Sequence, residues 1–433
     1  MRIGLVEFFL ILLIASVTVG PNIALWVDRW MRRAQRTSAA ASRRKAQMQA
    51  QAIAEREYLL HRFQVTGRIF AGAALIGLVY ALFFRPIEAA PRVYTAPETP
   101  AAVQAGEPTE EGLALSGYEN VTCIRRKEDW LYLSARAAGN KKKTESALLR
   151  MREDGSGLNV LLTAEGEITG FDFDSEGDLW LTVLTAEGGA LCRAGHDGWG
   201  ATLEQVVTQI DGRALTSLSA VSVGPDDRVY FAESAQTSAK NGLEAALRTE
   251  LLAHTATGSI YVYDPAARSV ERVMGGVAGA AGLALSPAGE ILYISDLGSR
   301  CVWAVSPDSR ELTAGGKNCG VFAKALSGYP GALAVDEEGE VYIGFRWARC
   351  SWLEDHADGT LLRGAALRLS QNMQEGLFRL SAGDCAVQRY SPDGALLGAF
   401  SGEKLGSTAA VCPAGSKVYL SGPETAQLRL ARV

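Results

Sequence analysis

Carboxylates, one imidazole and a cationic–aromatic cluster are the side chains of this sequence most able to do chemistry. Glu233 in Phe231-Ala-Glu-Ser234 and Asp296 in Ile294-Ser-Asp-Leu297 each follow a short apolar run. Two carboxylates over one pocket can divide the roles of general acid and general base. The same placement also suits an acid that caps a loop by hydrogen bonding. His254, in Glu250-Leu-Leu-Ala-His254, can face a pocket or sit on a rim. Arg346, Trp347, Arg349 and Trp352 stand together, a combination that holds anionic or aromatic ligands or stabilises its own loop. The other histidines, His61, His196 and His356, are scattered, and none forms a metal-spaced pair. There is no Gly-rich phosphate loop and no nucleophile elbow, and no cofactor is expected. Asn120-Val-Thr122 is a glycosylation sequon, meaningful only in a secreted eukaryotic setting. The seven cysteines include no C-x-x-C pair, and their odd count leaves at least one outside any intramolecular bridge. Cys301–Cys319 and Cys350–Cys385 are the expected bridges, because each pair brackets one local excursion.

These residues need a scaffold, and charge and hydropathy locate it. The chain has 433 residues, 48% hydrophobic and 21% charged, with a net charge of −5, which makes no case for a nucleic-acid partner. Between Asp28 and Arg68 stand ten Lys/Arg and three Asp/Glu, a net of +7; Arg2 and Glu7 cancel, so everything after Arg68 carries −5 − 7 = −12. Ile3–Trp26 is nearly continuous apolar sequence, and about 20 residues span a bilayer core. Basic residues follow this stretch rather than precede it, which favours a retained helix over a cleaved signal peptide. Ile69–Phe84 is a second apolar stretch, closed by Arg85-Pro86. Residues 1–27 and 69–85 are therefore expected as two transmembrane helices joined by a basic cytoplasmic loop, 28–68, which is helical from about Ser38 to Leu60. The acidic remainder then lies outside the cytoplasm, on a two-pass membrane anchor. Residues 86–110, rich in Ala, Pro, Thr and Glu, read as a linker.

From residue 111 to 433 one pattern recurs six times: an apolar strand, a polar turn, then an aliphatic residue beside Tyr or Trp opening a second strand. The repeated aromatics are Tyr132, Trp180, Tyr230, Tyr293, Tyr342 and Tyr419, separated by 48, 50, 63, 49 and 77 residues. Propeller blades repeat every 40–50 residues or so, so two intervals carry insertions. Asn241–Leu252 and Trp352–Phe378 read as those insertions, both helical. Further strands, such as Ser259–Tyr263 and Cys301–Val305, bring each repeat to about four. Only one strand follows the last repeat, so Glu111–Gly117 is expected to supply its outermost strand and close the ring. The fold expected is an all-β, six-bladed β-propeller with two helical insertions, preceded by an α-helical transmembrane hairpin.

The motifs Val229-Tyr-Phe-Ala-Glu-Ser234, Thr257-Gly-Ser-Ile-Tyr-Val-Tyr-Asp-Pro265, Gly282-Leu-Ala-Leu-Ser-Pro287, Leu292-Tyr-Ile-Ser-Asp296 and Leu326-Ser-Gly-Tyr-Pro330 resemble the strictosidine synthase-like proteins, relatives of the senescence-marker-protein/gluconolactonase group. The resemblance runs from about Glu119 to the C-terminus and implies that the insertions cover one mouth of the propeller. Gluconolactonase relatives hold a divalent metal with a Glu and three Asn/Asp. Carried over, those positions fall on Glu119, Ser219, Ala281 and Gly331, so three of four ligands are missing and no metal is expected. The synthase glutamate has no counterpart in Leu405–Cys412. Two functions follow. One is an extracytoplasmic binding module for a protein, glycan or small ligand. The other is a lactonase-like or other hydrolase with a rearranged site, for which Glu119, Glu233, His254 and Asp296 are the catalytic candidates and Arg346, Trp347, Arg349 and Trp352 the ligand-binding ones.

Overall fold

All six repeated aromatics share one backbone register. The computed structural model describes residues 6, 10, 42–98, 100, 107, 108, 110–139, 145–195, 203–379, 385–401, 407–422 and 426–432. In it, Tyr132, Trp180, Tyr230, Tyr293, Tyr342 and Tyr419 lie opposite Arg125, Asp172, Ser222, Ala284, Ala334 and Cys412. Each pair joins the first strand of a blade to the second. The first strands, blades 1 to 6 in order, are Tyr118–Lys127, Glu167–Phe173, Leu218–Val223, Ala280–Leu285, Gly328–Val335 and Ala410–Ala414. Each blade adds three more antiparallel strands, giving the six-bladed propeller expected. The second strands are packed on both faces: all six residues of Leu179–Leu184 and all five of Val229–Glu233 are buried. Burying one Leu, Val or Phe side chain is worth about 1.5–3 kcal/mol, so these strands and their neighbours across each blade interface carry the core.

Closure takes the expected route. Glu110–Ala114 forms the outer strand of blade 6, pairing antiparallel with Gln427–Arg432. Two short strands add to the expected four. Leu312–Thr313 runs parallel along the outer strand of blade 3 and Glu107–Pro108 along that of blade 5. Both cover edges that would otherwise present unpaired backbone groups.

The insertions are helical. The first is α2, Leu243–Ala253, after the second strand of blade 3; the second comprises α3 (Ser351–Asp355), α4 (Thr360–Leu367) and α5 (Gln371–Arg379), after that of blade 5. Ahead of the propeller, α1 (Ser42–Val79) continues through a π turn, Tyr80–Phe84. The helical stretch before Leu60 and the apolar stretch from Ile69 are thus one helix, ending where Pro86 cannot continue it. Ile53–Phe84, with an 18-residue stretch of mean hydropathy 1.8, is the one helix among the described residues long and apolar enough to cross a membrane. The other expected span, Ile3–Trp26, lies outside the described residues except for Val6 and Leu10.

The Cys301–Cys319 bridge does not form; both are thiols, Cys301 buried. Register explains it. Ala304 pairs with Gly320 and Val302 with Ala323, so Cys319 lies beside the far end of the strand that Cys301 begins. Four residues of strand separate them by about 13 Å, against the 7 Å limit for bridging. The Cys350 thiol donates to the Leu377 carbonyl; its expected partner's side chain, that of Cys385, lies outside the described residues.

Candidate functional site

The two mouths of the central channel differ in kind. At one, α2 lies over the ends of the first strands. Its run of Leu, Ala, Glu and Arg favours helix. Gly242, at φ 88°, precedes it and brings no side-chain cap. The cap comes from another blade: the Glu167 carboxylate accepts the Leu243 N–H at 2.9 Å, an anion at the positive end of a helix. One residue on, Glu244 pairs with Arg346 at 2.7 Å. Beneath Leu243 and Arg346 the channel retains about 40 Å³, between Thr122, Thr169, Ser219, Ala281 and Ala409. Burial raises the Glu167 carboxyl, opposed by the Leu243 N–H and by Arg346.

The expected site residues fall into this frame as follows. Glu119 lies ahead of the channel, its carboxylate on Arg136 at 3.3 Å. Counted back from the aromatic register, Thr122 holds the blade 1 place equivalent to Ser219. The Ser219 hydroxyl donates to the Ala280 carbonyl at 2.6 Å. Ala281 and Gly331 bring no side-chain oxygen. A hard cation needs about six oxygen ligands, so these residues do not fit the divalent metal that the resemblance brought into question. Among the described residues no three His, Cys, Asp or Glu side chains gather to hold one.

Glu233 is fully buried, taking Arg213 at 2.8 and 2.6 Å and both the Thr216 N–H and hydroxyl. Asp296, also fully buried, takes the Ser299 N–H and Trp303 Nε1–H. Both acids close loops, and neither meets the channel cavities. His254 ends α2 in the left-handed region, φ 50°, stacked on Tyr94 with ring centroids 3.8 Å apart. Burial, with Arg363 adding to it, lowers its pKa to about 4, so the ring is neutral at pH 7. The four-residue cluster is dispersed. Arg346 pairs with Glu244, Arg248 lies over Trp347, Arg349 pairs with Glu354, and Trp352 stacks on His356.

The structure also shows what residues 92–98 do within the propeller unit. They form neither helix nor strand, but the Arg92 and Tyr94 N–H groups bond to Ala253 and Ala357. Two buried arginines hold the same segment: Arg363 on the Arg92 carbonyl and Arg300 on those of Pro97 and Glu98. Nothing in the composition marked this strap.

The opposite mouth, at the hairpin turns, holds a cavity of about 470 Å³ walled by all six blades. Arg125 and Asp172 stand in it, 3.5 Å apart. They escaped notice because each lies near the end of a first strand, where a charged residue is unremarkable. Aligned by the aromatic register, they occupy the place where other blades carry Ser222, Ala284, Ala334 and Cys412, and the charge stands out.

A family model described as SMP-30/gluconolactonase/LRE-like region matches residues 144–367, more than half of the chain. The chain belongs to the SMP-30/gluconolactonase-like family. Among solved structures, a gluconolactonase from Xanthomonas campestris is 19% identical, with a TM-score of 0.50, covering 81% of this chain and 99% of its own. A putative gluconolactonase is 13% identical, TM-score 0.48, covering 78% of this chain and 97% of its own. A calcium-binding regucalcin from Agrobacterium tumefaciens is 13% identical, TM-score 0.45, covering 79% and 95%. At these identities the likeness to solved structures is one of fold. No curated protein matches. In this chain a helix is seated over one channel mouth, and Ala281 and Gly331 near it bring no side-chain oxygen.

Proposed function

We propose that this member of the family is a membrane-anchored binding module whose propeller, outside the cytoplasm, takes its ligand at the hairpin mouth. The observation that carries the reading is the seated helix. Leu243 and the Glu244–Arg346 pair occupy the mouth above the positions of the family's metal ligands. The apolar helix Ile53–Phe84 and the basic stretch before it support the anchor and its orientation. A second reading, a lactonase-like hydrolase, is favoured by family membership and by Glu167, whose raised pKa suits a general acid or base. It requires α2 to lift.

The full chain is melted with EDTA and then with Ca²⁺, Mg²⁺, Mn²⁺ or Zn²⁺, and assayed on small lactones. A metal at 100 times its dissociation constant adds about 2.7 kcal/mol to stability. No metal shift and no lactone opening are expected. A melting rise with one metal, accompanied by metal-dependent lactone opening, would replace the binding module with the hydrolase.

A further inference from the structure

We infer that the hairpin-mouth cavity is a binding site for a small organic acid, one carboxylate on an apolar body, gripped by Arg125. The inference rests on the binding-module reading and names its ligand class.

The cavity's volume of about 470 Å³ lies in the range of small-molecule sites. Its wall is two-sided. Blades 1 to 3 contribute all of its charged residues, whereas blades 4 to 6 contribute Leu333, Val335 and Val411 with the uncharged Ser286 and Cys412. Exposed Pro225 and Pro287 on the rim open it to solvent.

Five charged side chains line it, and four of them have a short hydrogen bond or ion pair. Asp174 accepts the Glu176 and Asp178 N–H groups and Trp180 Nε1–H. Asp227 accepts the Ser175 N–H and hydroxyl. Asp172 accepts the Phe173 and Val223 N–H groups, both at 3.0 Å. Arg126 pairs with Glu153. Arg125 differs: its contacts, to Ile124 O, Val221 O and Asp172, lie at 3.3, 3.4 and 3.5 Å. Elsewhere in the molecule Arg213 meets its carboxylate at 2.6 and 2.8 Å. A guanidinium carries five donors in a fork that matches a carboxylate, and charge-assisted bonds prefer about 2.7–2.9 Å. The long Arg125 contacts leave its guanidinium able to meet a carboxylate at shorter range, opposite a largely apolar side of the cavity.

Charge sets the class. Asp172 stands against the guanidinium, and Asp174 and Asp227 line the same cavity, so a dianion such as a phosphate monoester is repelled more than a carboxylate. An uncharged body of the same shape fills the apolar side and leaves the fork unused.

The test uses the full chain in detergent micelles and calorimetric titration with 3-phenylpropanoate, 3-phenylpropanamide, 3-phenylpropylamine and phenyl phosphate. The acid is expected to bind at least tenfold more tightly than the other three. Arg125→Met should bring the acid down to the amide's affinity, and Arg125→Lys should retain part of the difference. On the unmodified protein, the acid and not the amide should slow phenylglyoxal labelling of Arg125, which keeps the test valid if the variants fold poorly. Amide or amine binding as tightly as acid would overturn the carboxylate class and leave the binding reading standing. Acid affinity unchanged in Arg125→Met would overturn the role of Arg125. Failure of every compound to bind or to protect Arg125, with lactone opening present, would overturn both.

Discussion

Glu233 and Glu250 show how far one residue's role depends on its partners. Both are fully buried acids, yet only Glu233 has a cation, Arg213, against it. The sequence offered Glu233 as either a catalyst or a loop cap, and no pattern along the chain could choose, because Arg213 and Thr216 come from the strand connection before it. With four donors on its carboxylate, it acts as a cap. Glu233→Ala should cost about 1.5–3 kcal/mol in urea unfolding, the range for hydrogen bonds to a charged group, and leave ligand affinity unchanged. Glu250 accepts the Thr255 hydroxyl and the Ala256 N–H with no cation against it, and burial pushes its pKa up to about 7 from 4.5. A carboxyl raised in the folded state is most favourable there when protonated. Its stabilising contribution is present in full below about pH 4.5 and is lost as the pH rises towards 7. The stability of the wild type relative to Glu250→Gln should therefore fall by on the order of 3 kcal/mol over that window. A pH-independent difference in denaturant unfolding would sink this account.

At the scale of elements, the helix in the blade 3 insertion was legible and its docking was not. Leu243–Ala253 is a run of helix formers, visible without a structure. Its N-terminal partner, Glu167, lies 76 residues earlier, at the start of the first strand of blade 2. It reads there as an ordinary acid next to Gly166. The six-fold aromatic repeat was legible because every blade buries its second strand in the same way. The linker-like residues 92–98 hid their role because the arginines that hold them, Arg300 and Arg363, are distant in sequence. The cap makes a local prediction. Losing an N-terminal helix cap costs about 0.5–2 kcal/mol. Glu167→Ala should then speed amide exchange in the first turn of α2, at Leu243–Leu247, by roughly tenfold, with strand amides of the blades unaffected. Unchanged protection in that turn would show that Leu243 packing and the Glu244–Arg346 pair hold the helix without the carboxylate.

The propeller as a whole depends on one seam. The four antiparallel strands of each other blade are close in sequence, whereas blade 6 joins Glu110–Ala114 to Gln427–Arg432 across the length of the domain. This seam was also readable, because a last repeat with a single strand after it leaves an edge that something must pair. What could not be read is how closely the seam packs. A Cβ added to Gly112 would stand 2.4 Å from the Leu428 carbonyl oxygen and 3.1 Å from its carbon, both backbone atoms that cannot turn aside. Gly112→Val therefore forces the two strands apart where the ring closes. Overpacking of this kind costs about 1–3 kcal/mol in a well-packed site. Here it also frees the edge of Gln427–Arg432 to pair with another molecule. The variant should melt at lower temperature than the wild type and aggregate in a concentration-dependent way on heating. Gly398→Ala, where a Cβ meets nothing within 4 Å, is the matched control and should leave both properties unchanged. Equal melting and solubility of the two variants would mean that the propeller holds its ring by blade-to-blade packing alone, with the closing strand dispensable.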